Sequence, residues 1–173
     1  MVLGAHGYEG MTIDMVAAEA GMARATVYRR WATKADLVLD AVSRLSHGDV
    51  DVEDLPDTGS FRGDMLALSH SYDPAEQQLR LQVMVALLSL VKADERLADV
   101  ALGSGIGPWI AAHRALMQRA ISRAEFPPAE VDTLSQVIPM LYVSQAVQRL
   151  PITGELGVQL LDAVIIPALR GSA

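Results

Sequence analysis

A short segment near the start of the chain gathers several cationic side chains around a tyrosine. Arg24, Arg29, Arg30 and Lys34 are four of the fourteen basic residues of the chain, and Tyr28 lies among them. Guanidinium and ammonium groups bind phosphate, and an arginine can also donate two hydrogen bonds to O6 and N7 of guanine. The segment therefore has the chemistry to bind a nucleic acid.

The negative net charge of the whole chain argues against binding to a nucleic acid, but the distribution of the charges does not. The net charge is −7, and DNA binding draws much of its free energy from counterions that Lys and Arg displace. Residues 1–44 carry five basic and five acidic side chains, whereas the remaining residues carry nine basic and sixteen acidic ones. The basic segment is thus a local patch on an otherwise acidic protein.

Short helical patterns flank this patch. Thr12 is a predicted N-cap for a helix over residues 13–20, and Gly21 ends that helix because glycine accepts a left-handed backbone. A second helix is predicted from residue 23 or 24 to residue 30, and a third begins after Thr33. Two short helices joined at a glycine are typical of a helix-turn-helix.

The middle helix of this unit must expose one face and bury the other. Val27 and Trp31 are predicted to lock it against the preceding helix, which turns a polar face outward. That face comprises Arg24, Ala25, Thr26, Arg29 and Arg30. The alternative is a three-helix packing unit without a role in DNA binding.

The rest of the chain predicts further helices. An acidic segment with Gly and Pro over residues 47–59 is predicted to be a linker between a unit over residues 1–46 and a body over residues 60–171. Helices are expected over residues 60–72, 74–91, 94–102, 108–123, 128–150 and 154–169, with Pro139 as a kink. Since aromatic residues make up only 5% of the chain, we predict an all-α fold.

Several classes of function find no support in the sequence. The chain has no cysteine, and its four histidines, His6, His47, His70 and His113, have no partners at metal-ligand spacing. No Ser-His-Asp set or phosphate-binding glycine loop is present. We therefore expect no enzyme activity, metal or cofactor. The start of the chain does not resemble a signal peptide, and no apolar run is long enough to span a membrane, so we expect a cytoplasmic protein.

The helix-turn-helix resembles that of the TetR family of bacterial regulators. The matching residues are Thr12, Val16-Ala17, Ala20-Gly21-Met22, Tyr28, Trp31, Lys34 and Leu37. The resemblance implies a one-component regulator, most simply a ligand-responsive repressor that binds a palindromic operator in double-stranded DNA as a homodimer. The alternative is a helical ligand-binding or scaffolding protein that no longer binds DNA.

The resemblance also implies roles for individual residues. Arg24, Ala25 and Thr26 would face bases or adjacent phosphates, and Arg24 would carry specificity. Tyr28 and Arg29 would pack on the DNA backbone or a thymine methyl group. Thr12, Arg30 and Lys34 would hold phosphates.

The sequence departs from the family pattern at two places. Ala23 stands where the family commonly has an N-cap such as Ser, so the recognition helix lacks a capping hydrogen bond worth about 1 kcal/mol. The family's first helix is a dozen or more residues long, whereas here a helical fragment is predicted only over residues 3–6. We therefore expect a shortened first helix and a loosely packed DNA-binding unit.

The body has candidate residues for two further surfaces. An effector pocket for a small apolar or amphipathic molecule is predicted from Met84, Leu88, Trp109, His113, Met117, Met140 and Tyr142, with simple core filling as the alternative. The last two helices are apolar on more than one face, which favours burial against a second subunit. The predicted dimer interface comprises Leu134, Ile138, Leu141, Gln145, Leu160 and Val164.

Overall fold

The computed structural model is all helical in the part of the chain that it describes. The described residues are 2–46, 52–71, 73, 75–78, 81–82, 85, 106–151 and 153–171, and none of them lies in a strand. The predicted helix over residues 94–102 and most of the one over residues 74–91 fall outside them. The chain divides into two compact units, residues 1–48 with 79–105 and residues 49–78 with 106–173.

Four helices lie within residues 2–46 of the first unit. They are α1 (Val2–Gly10), α2 (Ile13–Glu19), α3 (Arg24–Arg30) and α4 (Lys34–Ser46). Helix α1 extends further than the predicted fragment, and it is broken at Gly7, whose φ of 65° suits glycine. The helix-turn-helix predicted from the sequence is thus present as α2 and α3.

Side chains at the helix starts explain these bounds. The Thr12 hydroxyl accepts a hydrogen bond from the Met15 N–H at 3.2 Å, which confirms the predicted cap of α2. Thr33 and Asp36 cap α4 reciprocally, because each backbone N–H donates to the other's side chain at 3.1 Å. Ala23 offers α3 no such bond, as predicted.

A continuous apolar core holds these helices together. Its buried members are Val2, Leu3, Met11, Ile13, Ala17, Val27, Leu37 and Val38. Val27 is 1% exposed, and Trp31 packs against the same cluster while its Nε1 donates to Asp40 at 3.1 Å. The two residues predicted to lock α3 therefore face inward, and the opposite face of α3 points outward.

The second unit includes two helices that are longer than any of α1 to α4. It contains a 3₁₀ turn (Val52–Asp54), α5 (Phe61–His70), α6 (Gly107–Ser122), α7 (Val131–Val147) and α8 (Gly154–Leu160), then a π-helical turn (Leu161–Ile165) and α9 (Ile166–Gly171). Helix α6 packs against α5 and α7, and α8 packs against α5. Within the described residues, no helix is long and apolar enough to cross a membrane.

Two predicted helix caps of this unit are confirmed, whereas no kink is present at Pro139. Ser60 accepts a hydrogen bond from the Gly63 N–H at 3.2 Å at the start of α5, and Asp73 accepts bonds from the N–H groups of Ala75 and Glu76. Helix α7 continues through Pro139. The last predicted helix differs from the expectation, because the π-helical turn interrupts it.

An ion-pair cluster fixes the start of α5 against the end of α6. Asp64 is fully buried and bonds Arg123 at 2.8 Å, and Arg123 also bonds Asp57 at 2.9 Å and Glu125 at 2.7 Å. The Thr58 N–H and hydroxyl donate to the other Asp64 oxygen. This cluster ties residues 57–64, which include the end of the predicted linker, into the second unit; the domain bounds themselves stay a prediction.

Candidate functional site

Helix α3 presents a cationic face to solvent. Most of the residues predicted to meet DNA are exposed on it: Arg24, Ala25, Tyr28, Arg29 and Arg30. Thr26 is half-buried, whereas Val27 is buried and anchors the helix. Because the anchoring side points into the core, the guanidinium groups are available to a polyanion that approaches α3 from outside.

Arg24 is held in place by two side chains of its own unit. Its Nε bonds Oδ1 of Asp14 at 2.9 Å, and its Nη2 donates to the Tyr28 hydroxyl at 3.4 Å. The guanidinium carbon lies 5.3 Å from the centroid of the Tyr28 ring. The Tyr28 hydroxyl and the Asp14 carboxylate raise the pKa of Arg24 above its ordinary value, so the group stays cationic.

Asp14 was not among the residues predicted from the sequence. An acidic residue in the first turn of a helix is common because it complements the helix dipole. That local signal says nothing about a partner ten positions further along the chain. Only the crossing of α2 and α3 brings the two side chains together.

Lys34 has a structural role besides its predicted phosphate contact. Its Nζ donates to the backbone oxygens of Tyr8 at 2.7 Å and Met11 at 3.1 Å, and lies 4.2 Å from the centroid of the Tyr8 ring. These contacts fasten the end of α1 to the start of α4. An ammonium has three donors, and two of them are used inside the unit. Arg30, in contrast, lies over the Trp31 ring at 4.9 Å while remaining exposed.

The second unit contains a cavity that opens to solvent. Trp109, His113 and Tyr142 line it among mainly apolar neighbours. The rings of Trp109 and Tyr142 meet edge to face with centroids 6.5 Å apart. Three of the predicted pocket residues therefore line the same cavity.

The cavity is lined by one side chain that can accept a hydrogen bond and one that can donate a hydrogen bond. His113 Nδ1 lies 2.7 Å from the Trp109 carbonyl oxygen, which can only accept, so Nδ1 carries the proton and Nε2 is an acceptor. Burial lowers the pKa of His113, which keeps the ring neutral. The Tyr142 hydroxyl lies close to Gly157 at the start of α8, and a protonated phenol can donate one hydrogen bond. Burial raises the pKa of Tyr142, so the phenol is protonated.

The structure corrects other predicted pocket residues. Met117 is completely buried in the core and is not part of this cavity wall. Met140 lies on the surface with 40% of its area exposed. Helix α7 is apolar around most of its circumference, so its sequence pattern did not determine which side faces inward. Met84 and Leu88 lie outside the described residues.

The residues of the predicted dimer interface differ in how much of each side chain is exposed in the single chain. Ile138 is wrong as a surface residue, because it is buried and lines the cavity. Leu134, Leu141, Gln145 and Leu160 are half-buried in the single chain, and Val164 is 41% exposed. Other large apolar side chains exposed on this unit include Met140, Val147 and Leu150. On α7, the exposed large apolar residues are Met140 and Val147, and neither belongs to the predicted interface.

Known proteins resemble the chain over both units. The profile described as "Bacterial regulatory proteins, tetR family" matches residues 1–41, and the one described as "Tetracyclin repressor-like, C-terminal domain" matches residues 55–164.

Two regulators of mycobacteria are similar to the chain in sequence. The HTH-type transcriptional regulator Rv1556 of Mycobacterium tuberculosis is 34% identical over 169 residues, which is 96% of this chain and 82% of the relative. The DNA-binding transcriptional repressor TetR of Mycobacteroides abscessus is 30% identical over 171 residues, covering 96% of this chain and 87% of the relative.

A solved structure shares the fold. The crystal structure of the TetR family transcriptional regulator PfmR from Thermus thermophilus superposes with a TM-score of 0.69 and 13% identity. The alignment covers 97% of this chain and 94% of the other.

Proposed function

The chain belongs to the TetR family of bacterial transcriptional regulators, and from that premise we propose that it is a repressor that binds a palindromic operator as a homodimer and responds to a small effector. The observation that carries the proposal is the exposed cationic face of α3 opposite the buried Val27. One relative at 30% identity is itself named a DNA-binding transcriptional repressor. The family is one of regulators rather than enzymes.

Helix α3 is the proposed reading element. Arg24 supplies base contacts, Arg29 and Arg30 hold phosphates, and Ala25 leaves room for a thymine methyl group. The N-terminal end of α4, which begins at Lys34, supplies a favourable dipole for phosphate, and Thr12 is a further proposed phosphate contact. The last donor of the Lys34 ammonium is the one proposed to reach DNA.

Binding to DNA can be tested with duplexes that the protein itself selects. The unaltered protein selects them from a randomised pool, and its affinity for the selected duplex is measured by fluorescence anisotropy over a range of salt. Replacing Arg29 with Ala removes one phosphate contact per subunit. For a dimer, the slope of log K against log salt concentration should therefore become shallower by about two. Arg170→Ala, an exposed arginine of α9, is the control and leaves the slope unchanged.

The outcome separates this function from its alternative. A protein that selects no duplex is a ligand-binding or scaffolding protein instead. Selection of a duplex with an Arg29→Ala slope equal to that of the unaltered protein places the DNA contact elsewhere than α3.

The proposed dimer forms through the exposed apolar side of α7 and the π-helical turn. Val147 is 58% exposed and Val164 belongs to the predicted interface, and a second subunit would remove both from water. Val147→Glu and Val164→Glu should each give monomers in size-exclusion chromatography with light scattering. Val52→Glu, at an exposed valine of the 3₁₀ turn, is the matched control and stays dimeric. Dimers in all three variants would contradict this surface.

The proposed effector site is the cavity of the second unit. His113 Nε2 accepts and the Tyr142 hydroxyl donates, so the site suits a mainly apolar molecule that carries one hydroxyl or phenol group. Trp109 reports on binding by its fluorescence in a Trp31→Phe background, with neutral phenols and alcohols as probes. A Cβ at position 157 would collide with the Tyr142 hydroxyl, so Gly157→Ala should weaken the response. An equal response in that variant would exclude this wall of the cavity.

A further inference from the structure

Asp14 of α2 and Arg24 of α3 form an exposed ion pair. The side chains are 54% and 64% exposed, and the bond between Nε and Oδ1 is 2.9 Å long. Exposed pairs of this kind contribute little to stability. A carboxylate on a surface meant for DNA also repels phosphate and lowers affinity. The pair therefore adds little stability, and its carboxylate opposes general binding to DNA.

The pair fixes the orientation of the guanidinium. Asp14 bonds Nε on the inner edge, Tyr28 accepts from Nη2, and the Tyr28 ring lies near the guanidinium carbon. An arginine reads guanine with two parallel donors aimed at O6 and N7. With Nε bonded to Asp14 and one Nη2 hydrogen bonded to Tyr28, the two Nη1 hydrogens and the second Nη2 hydrogen are left for a base. Restraining the group before binding reduces the entropy lost when the contact forms.

We infer that Asp14 is the positioning residue for Arg24 and sets the base specificity of α3 at the expense of general affinity for DNA. The inference rests on the proposed function, since it needs Arg24 to meet a base. It predicts opposite effects of one substitution on two measured quantities. Affinity for any duplex rises when the negative charge is removed, whereas discrimination between duplexes falls when Arg24 is released.

The test compares three kinds of duplex with the full chain. The first kind is the duplex selected by the unaltered protein, the second is a series in which each member has one guanine of a half-site replaced, and the third is a scrambled duplex. Asp14→Asn should bind the scrambled duplex about two- to fivefold more tightly, because the variant has no carboxylate at this position to repel the DNA phosphates. A bidentate arginine–guanine pair contributes about 5- to 150-fold in discrimination, and the variant should lose at least about fivefold at one guanine.

Control variants separate positioning from charge and from folding. Glu9→Gln removes a negative charge from the same unit at an exposed residue of α1, and it should leave discrimination unchanged. Asp14→Glu keeps the carboxylate and should retain most of the discrimination. In an Arg24→Ala background, Asp14→Asn should have no further effect on discrimination, because Asp14 acts through the Arg24 side chain. An additive loss would mean that the two residues act independently. Circular dichroism checks that each variant is folded.

Two results would overturn the inference. One is Asp14→Asn with unchanged discrimination at every guanine, which would leave Asp14 as a source of repulsion only. The other is an equal loss of discrimination in the Arg24→Ala background. Failure of the unaltered protein to prefer its selected duplex over the scrambled one would instead refute the proposed function, so the two failures are distinguishable.

Discussion

Two arginine–aspartate pairs of the second unit have equal bond lengths but different surroundings. Arg123 bonds Asp64 at 2.8 Å with the carboxylate fully buried, and Arg62 bonds Asp162 at 2.8 Å with side chains that are 50% and 41% exposed. Replacing each aspartate with asparagine keeps the shape and removes the charge. The pairs therefore test how far burial, rather than distance, determines the strength of an ion pair.

The expected loss at Asp64 follows from its contacts. An asparagine can keep the bonds from the Thr58 N–H and hydroxyl, but its amide then faces the Arg123 guanidinium with two donors opposed. Breaking a buried pair costs about 3–5 kcal/mol. Arg123 retains Asp57 and Glu125, so we expect the lower end of that range, about 3 kcal/mol.

The assay is urea denaturation followed by circular dichroism at one protein concentration. A fixed concentration is needed because association would shift the midpoint. Asp64→Asn should lower the midpoint strongly, whereas Asp162→Asn should change it little because water replaces the exposed contact. Equal shifts in the two variants would refute the argument from burial.

Three further predictions concern stability. Ala23→Ser should stabilise the first unit by about 1 kcal/mol in thermal denaturation, because it supplies α3 with its missing cap, and no gain would contradict that. Burial alone would raise the pKa of Asp64, but the Thr58 N–H, Arg123 and the Thr58 hydroxyl hold that pKa below its ordinary value. The stabilisation is therefore present above about pH 4 and is lost as pH falls through the pKa of the folded state. When the free energy of unfolding is measured against pH, Asp64→Asn should show a smaller loss of stability in acid than the unaltered protein. Lys34→Met should speed hydrogen exchange in α1, since Tyr8 and Met11 lose their donor; unchanged exchange would contradict this role.

Local signals in the sequence predicted much of the fold correctly. Thr12, Thr33 and Ser60 are caps that act within three residues, and Gly21 adopts the left-handed backbone expected at the turn, with φ of 63°. Val27 was placed in the core because its spacing relative to polar neighbours is helical. Helix caps, turns and the buried side of a short helix depend on residues that are close in the sequence, so they can be predicted from the sequence alone.

Contacts between distant residues were not predictable in the same way. The bond from Arg123 to Asp64 joins residues 59 positions apart, and the bond from Arg24 to Asp14 depends on how two helices cross. The inward face of α7 was also misjudged at Ile138 and Met140, because a helix that is apolar on several sides has no single stripe to indicate its core.

The central claim is that two copies of α3 enter successive major grooves of one operator. Methylation-interference footprinting of the selected duplex tests it most directly, because methyl groups at guanine N7 block contacts in the major groove. We predict two symmetric patches about ten base pairs apart, or a multiple of that distance, and loss of both patches in the Arg24→Ala, Arg29→Ala variant. A single patch, or the same pattern in the variant, would contradict the account.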